Sequence, residues 1–205
     1  MKTLLLATHN KAKLAELKLG VSSFLKNKVK IVSLNDLNIN VNPEETGKNF
    51  QENSFLKAKF YANLSKLPTI ADDGGLIIPS LNNEPGVKSR RWLGNEASDE
   101  KLIDYTLERL KGSLVANRTA YLETCLYFYD PKTKTSYCEQ KRIKGQIADK
   151  PSGKPTQGYP FRALFVVEKY NKYYDEITDQ QHLEINHRLI ALKRLLNKAK
   201  KYLIE

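Results

Sequence analysis

Residues 3–13 read Thr-Leu-Leu-Leu-Ala-Thr-His-Asn-Lys-Ala-Lys. A short, continuous apolar run that ends on polar residues is the pattern of a strand buried on both faces. Asn10 then precedes Leu14, Leu17, Val21 and Leu25, which share one face at helical spacing. The N-terminus also resembles a clipped signal peptide, but His9, Asn10 and Lys11 interrupt it before a full apolar segment is reached. A buried first strand running into a helix is the better reading, and it sets an α/β frame for the rest of the chain.

Working outward, residues 29–33 read as a second strand and residues 42–49 as a polar loop. A helix is expected from about Asn49 to Lys66, with Phe50, Ser54, Tyr61 and Leu64 near its inner side. Residues 68–72 read as a short strand that stops at Asp72-Asp73-Gly74-Gly75, after which Leu76-Ile77-Ile78 resumes. Residues 98–110 form a helix that Ser98 can cap. Residues 118–129 alternate and are rich in β-formers, and residues 135–147 return as their partner after a turn at 130–133. Residues 149–160 make a Pro/Gly loop, residues 161–168 a strand and residues 181–203 a terminal helix. Ile185, Leu189, Leu192, Leu196 and Leu203 supply the stripe of that helix.

The chain has 205 residues, enough for one domain with a proper core, in one lobe or two. No apolar run reaches the roughly 18 residues of a membrane span. The net charge of +11 suits anionic partners without choosing among nucleotides, nucleic acid and acidic membranes. Two cysteines, Cys125 and Cys138, are too few for a disulfide scaffold and show no CxxC spacing. Reduced thiols in a cytoplasmic protein are expected, although both fall on one predicted hairpin.

Four clusters carry chemistry. Thr8, His9, Asn10 and Lys13 sit where a strand enters a helix, whose unpaired N–H groups and dipole favour an anion. An ordinary capped helix with surface lysines has the same residues. Glu44-Glu45-Thr46-Gly47 and Asp72-Asp73-Gly74-Gly75 offer carboxylates suited to Mg²⁺, though an acidic pair before Gly-Gly also makes a plain turn. Asn53 and Lys57 are four apart on one helix face, where Lys57 is either solvated or a phosphate ligand. Asn186-His187-Arg188 opens the apolar part of the last helix, as structural residues or as donors to a base or phosphate. The three histidines have no HExxH spacing, so a zinc hydrolase is not supported.

Taken together, the chain resembles the inosine/xanthosine triphosphate pyrophosphatases. The match rests on T-H-N-K-A-K at 8–13, E-T-G-K-N-F-Q-E-N-S-F-L-K-A at 45–58, A-D-D-G-G-L at 71–76 with P-G-V-K-S-R-R at 85–91, and N-H-R at 186–188. The resemblance implies a single pyrophosphatase domain over residues 1–205. Its fold would be an elongated, two-lobed mixed sheet flanked by helices, with a nucleotide cleft between the lobes. It implies a cytoplasmic homodimer that uses Mg²⁺ to cut a nucleoside triphosphate into a monophosphate and pyrophosphate. Asp73 would be the catalytic carboxylate, with Glu45 its partner at the metal. Thr8, His9, Asn10, Lys13 and Lys57 would hold the triphosphate, and Gly74 and Arg91 would lie against the substrate. Gly158, Tyr159, His182, His187 and Arg188 would address the base.

The base-reading part departs from the family, which has Phe-Gly-Tyr/Trp-Asp-Pro where this chain has Gln157-Gly158-Tyr159-Pro160-Phe161. A family lysine is replaced by His182. Base preference is therefore expected to shift or relax, with Tyr159, Phe161 and Arg162 as substitute contacts. Two rivals remain: a septum-inhibitor-type nucleotide pyrophosphatase, and a non-catalytic nucleic-acid-binding domain. Against the second, Glu45, Asp72 and Asp73 would repel a phosphate backbone unless they held a metal.

Overall fold

Strand β1 (Thr3–Ala7) carries three leucines with no exposed surface, Leu4, Leu5 and Leu6. It lies between two parallel neighbours, β2 (Lys30–Ser33) and the first part of β3 (Thr69–Ile78), with Leu5 opposite both Val32 and Thr69. Both faces of such a strand are covered by helices, so alternation of polarity is lost. The computed structural model describes residues 1–204. The sheet has eight strands in the order β2-β1-β3-β5-β6-β7-β8, with β4 paired to β3. The intervening strands are β4 (Glu84–Pro85), β5 (Thr119–Tyr129), β6 (Ser136–Ile147), β7 (Phe165–Val167) and β8 (Lys172–Tyr173).

The chain forms two compact units. The first holds residues 1–73 and 124–141 and the described residues from His187 onward. Here α1 (Lys11–Phe24) and α5 (His187–Ile204) cover one face of the strands, and α2 (Phe50–Ser65) covers the other. Successive β1 side chains point to opposite faces. Leu4 and Leu6 accordingly join Leu17, Val21, Leu192 and Leu196, while Leu5 and Ala7 join Ala58 and Tyr61. Leu64 does not lie on the inner side of α2 as expected; it is 51% exposed, and Ala58 and Ala62 are buried instead.

The second unit holds residues 74–123 and 142–186. Its helices are α3 (Asp99–Arg109), capped by Ser98 as expected, and α4 (Asp179–Ile185), opened by a Thr178/Gln181 capping box. Its core gathers Leu76, Ile78, Leu102, Phe161, Leu164 and Phe165.

Three local readings are corrected. The strand expected to stop at Asp72 runs through Asp72-Asp73-Gly74-Gly75 to Ile78. Gly75 serves close approach rather than a turn: a Cβ there would lie 1.9 Å from Ser89 Oγ, which accepts the Leu76 N–H at 3.1 Å. Residues 160–163 form a 3-10 turn, and only Phe165–Val167 pair as a strand. An apolar run at 161–167 is buried in either conformation, so composition alone does not separate them. The terminal helix is two helices, because Asn186 takes an extended ψ of 98° and ends α4 before α5 begins.

Candidate active site

The first unit brings four elements to adjacent carboxylates on β3. At the start of α1, the Asn10 side chain accepts the Lys13 N–H at 3.0 Å, and Thr8 Oγ1 accepts the Asn10 N–H at 3.2 Å. This is the capped helix start read from the sequence. His9 is exposed, with its ring edge-on to Tyr61 at 6.3 Å.

Asp72 and Asp73 are consecutive on a strand, so they point to opposite faces. On the α1/α5 face, the side chain of Asp72 is fully buried. Its Oδ2 pairs with Lys13 Nζ at 2.7 Å and with Arg188 Nε at 3.3 Å, and its Oδ1 accepts from the Thr124 hydroxyl. Arg188 in turn holds Glu16 at 2.8 Å and is only 3% exposed. Burial alone pushes the Asp72 carboxyl up. The Arg188 guanidinium and the Lys13 ammonium overcome that and hold it well below the usual carboxylate range. His187, the first residue of α5, is also buried.

On the α2 face, Lys57 Nζ lies 2.6 Å from Glu45 and 2.9 Å from Asp73 Oδ1. Burial would lower the Lys57 ammonium, but Asp73 and Glu45 outweigh it and its pKa is raised. For Asp73, which shares its paired ammonium with Glu45, burial outweighs the pull of Lys57 and Lys13, and its carboxyl is pushed up. Asp73 Oδ2 is buried and makes no hydrogen bond. Glu44, next to Glu45 in the chain, points into solvent.

Asn53 shapes the loop that carries Glu45. Its Oδ1 accepts the Gly47 N–H at 2.8 Å, and a Cβ on Gly47 would lie 2.5 Å from that oxygen. The Asn53 Nδ2 is buried without a partner. Tyr61 Oη lies 3.1 Å from the Val41 carbonyl, where it donates to the same loop; burial pushes its hydroxyl up to about 12.

The remaining expected residues belong to the second unit. Gly74 continues β3, and Arg91 is exposed at the end of the 3-10 turn 86–91. Gly158, with φ of 82°, donates its N–H to Asp99 Oδ2 at 2.5 Å. The Arg162 guanidinium stacks on Tyr159 at 3.6 Å and reaches Tyr174 at 4.6 Å, and His182 meets Tyr174 edge-on at 5.3 Å. Tyr159, Arg162, Tyr174 and His182 thus form one aromatic–cationic stack, whereas Phe161 is buried in the core.

Sequence reasoning missed Glu16, Thr124 and the loop-holding role of Asn53. Glu16 has a signal, since it lies three residues after Lys13 on one helix face. Thr124 has none, because its link to Asp72 spans 52 residues.

Among the described residues no group of three or more His, Cys, Asp or Glu side chains is placed to hold a metal. Mg²⁺ does not require one, since it binds through one or two carboxylates plus water and substrate phosphates. Glu45 and Asp73, with the orphaned Asp73 Oδ2, fit that demand.

Residues 4–198 match the Ham1 family model. The chain is 35% identical over 196 residues to a dITP/XTP pyrophosphatase of Leptospira interrogans, covering 95% of both chains. It is 34% identical to the dITP/XTP pyrophosphatase of Bacillus subtilis over 95% of this chain and 96% of that one. A solved HAM1 protein from Coxiella burnetii aligns with a TM-score of 0.84 at 30% identity, covering 98% of this chain and all of its own. A match of this extent means that the chain belongs to the Ham1 family.

Proposed function

We propose that the chain is a Mg²⁺-dependent pyrophosphatase that hydrolyses non-standard purine nucleoside triphosphates, of the inosine and xanthosine types, to the monophosphate and pyrophosphate. The observation that carries this reading is the Glu45–Lys57–Asp73 arrangement with its unfilled carboxylate oxygen. The activity named for the Leptospira and Bacillus relatives supports it.

A triphosphate brings about four negative charges, and its cleavage depends on positioning and charge stabilisation. Lys57 supplies a fixed cation, and the start of α1 supplies backbone N–H donors, while Lys13 is engaged by Asp72. Glu45 and Asp73 would hold the Mg²⁺, which would supply Lewis-acid charge and acidify water. Asp73 Oδ2, lacking a partner, orients a nucleophilic water or accepts its proton. Lys57 holds Asp73 by its other oxygen and so fixes the direction in which Oδ2 points.

Base preference in this reading is set by the Tyr159–Arg162–Tyr174–His182 stack of the second unit, together with Gly158. The replacements at Gln157, Pro160 and His182 alter which polar groups a wrong base leaves unpaired.

The test is pyrophosphate release from ITP, XTP, dITP, ATP and GTP, with and without Mg²⁺. Metal-dependent release is expected, with discrimination between ITP and ATP weaker than that of the Bacillus subtilis relative. Asp73→Asn is expected to lose at least about two orders of magnitude in kcat, or roughly 3 kcal/mol. Metal-independent turnover, or an active Asp73→Asn enzyme, would refute the assignment. From the family resemblance we also infer a cytoplasmic homodimer. Sedimentation of a species at the 23.5 kDa chain mass alone would contradict the dimer.

A further inference from the structure

Cys125 on β5 and Cys138 on β6 are free thiols whose Sγ atoms lie 3.1 Å apart. They differ in access. Cys125 has no exposed surface, and its Sγ lies 3.2 Å from the Ser54 hydroxyl on α2; Cys138 is partly exposed. A disulfide bond is about 2.05 Å long, so the two sulfurs need to close by only about 1 Å.

We infer that these two thiols form a redox-modification site, in which a small hydroperoxide such as hydrogen peroxide converts them into a cross-strand disulfide. The roles follow from access. The attacking sulfur must reach the oxidant, and the resolving sulfur need only reach its neighbour. The hydrogen bond from Cys125 lowers the Cys138 thiol and favours its thiolate, against burial and the Glu139 carboxylate and with help from Lys198. The same contact, with burial, raises the Cys125 thiol.

The chemistry balances. The Cys138 thiolate attacks one peroxide oxygen, the O–O bond breaks, and the departing hydroxide takes a proton to become water. Cys138 is then a sulfenic acid, oxidised by two electrons. The Cys125 sulfur attacks the Cys138 sulfur, and the S–S bond forms as the S–O bond breaks. The second hydroxide leaves with the Cys125 proton as water. Two thiols and one peroxide thus give one disulfide and two waters. The product ties residues 13 apart in the chain, and a loop of this length restricts the unfolded state.

The test uses the whole wild-type protein in EDTA, treated with a few equivalents of hydrogen peroxide and then with N-ethylmaleimide under denaturing conditions. Intact mass is expected to show the loss of two hydrogens and no maleimide adduct, and dithiothreitol is expected to restore two adducts. Oxidised protein should melt about 5 °C higher than reduced protein. In Cys125→Ser, Cys138 is expected to stop at the sulfenic acid and be captured by dimedone. Two maleimide adducts after peroxide would overturn the proposal, as would Cys138 sulfinic acid beside an alkylated Cys125, or cross-linked dimers. An unchanged or lowered melting temperature would count against it as well.

Discussion

On one face of β3, Asp72 is closed in by Lys13, Arg188 and the Thr124 hydroxyl, while Arg188 is held by Glu16. On the other face, one residue later, Asp73 has a single ammonium that it shares with Glu45, and an oxygen with no partner. The two carboxylates share a strand, a residue type and near-complete burial. Their difference lies in what surrounds them. A saturated buried carboxylate has nothing left to give a substrate, and its worth is structural. An under-served one is costly to bury and is retained where a ligand completes it.

The largest effect expected from this contrast is on stability. Asp72→Asn keeps the shape of the side chain but removes the counter-charge of buried Arg188 and half-buried Lys13. Breaking such a network on one side costs about 4 kcal/mol. The melting temperature should then fall by roughly 10 °C, measured by calorimetry, while the folded fraction keeps most of its kcat. Asp73→Asn should reverse the pattern, losing about two orders of magnitude or more in kcat with an unchanged or slightly raised melting temperature. Its charge is the one that burial disfavours. If both variants lose stability alike and activity alike, the two faces are not distinct.

The same contrast gives opposite signs with pH. The Asp72 carboxyl is depressed below its ordinary 3.8, so its contribution is complete above about that pH and is lost as pH falls further. The Asp73 carboxyl is raised, so the folded state binds its proton more tightly than the unfolded one. Stability from that group is present below 3.8 and is lost as pH rises above it. Wild type minus Asp72→Asn, in metal-free buffer, should lose its advantage on acidification through pH 3.8. Wild type minus Asp73→Asn should become less favourable as pH rises from there. Slopes of equal sign would break the comparison.

The sequence reveals the frame of this arrangement more readily than its division into two faces. Helix-period stripes place α1 and α5, and β-rich alternation places β5. Asp73, Glu45, Lys13 and Lys57 are legible as a charged set from type and position. The separation of Asp72 from Asp73 is not, because Asp-Asp-Gly-Gly reads locally as a turn. Only the close approach of Ser89 to Gly75 explains why glycine sits in a continuing strand. The break at Asn186 is hidden for a similar reason: the apolar stripe continues from Ile185 to Leu189 although the two residues belong to different cores.

Thr124→Val sharpens the contrast from the structural side. Valine matches the shape of threonine and removes only the hydroxyl that Asp72 accepts from. A hydrogen bond to a buried charge contributes about 2 kcal/mol, which is about 5 °C in melting temperature here. Activity at 25 °C should be unchanged. A kcat that falls further than the stability loss explains would show that the closed face also serves the chemistry.

Asn53 probes the open face more gently. Its Oδ1 holds the Gly47 N–H, two residues from Glu45. Asn53→Ala leaves that N–H unpaired and loosens the loop, so kcat/KM should fall about fivefold, or roughly 1 kcal/mol. The loss should appear as a higher Mg²⁺ concentration at half-saturation, because the looser residue, Glu45, is one of the two proposed metal partners. Asn53→Asp keeps an oxygen for Gly47 and should recover most of the Mg²⁺ affinity. If Asp recovers none of it, the amide nitrogen that is buried without a partner matters more than the oxygen that ties the loop. The open face would then hold a third group awaiting the substrate, beside Lys57 and Asp73.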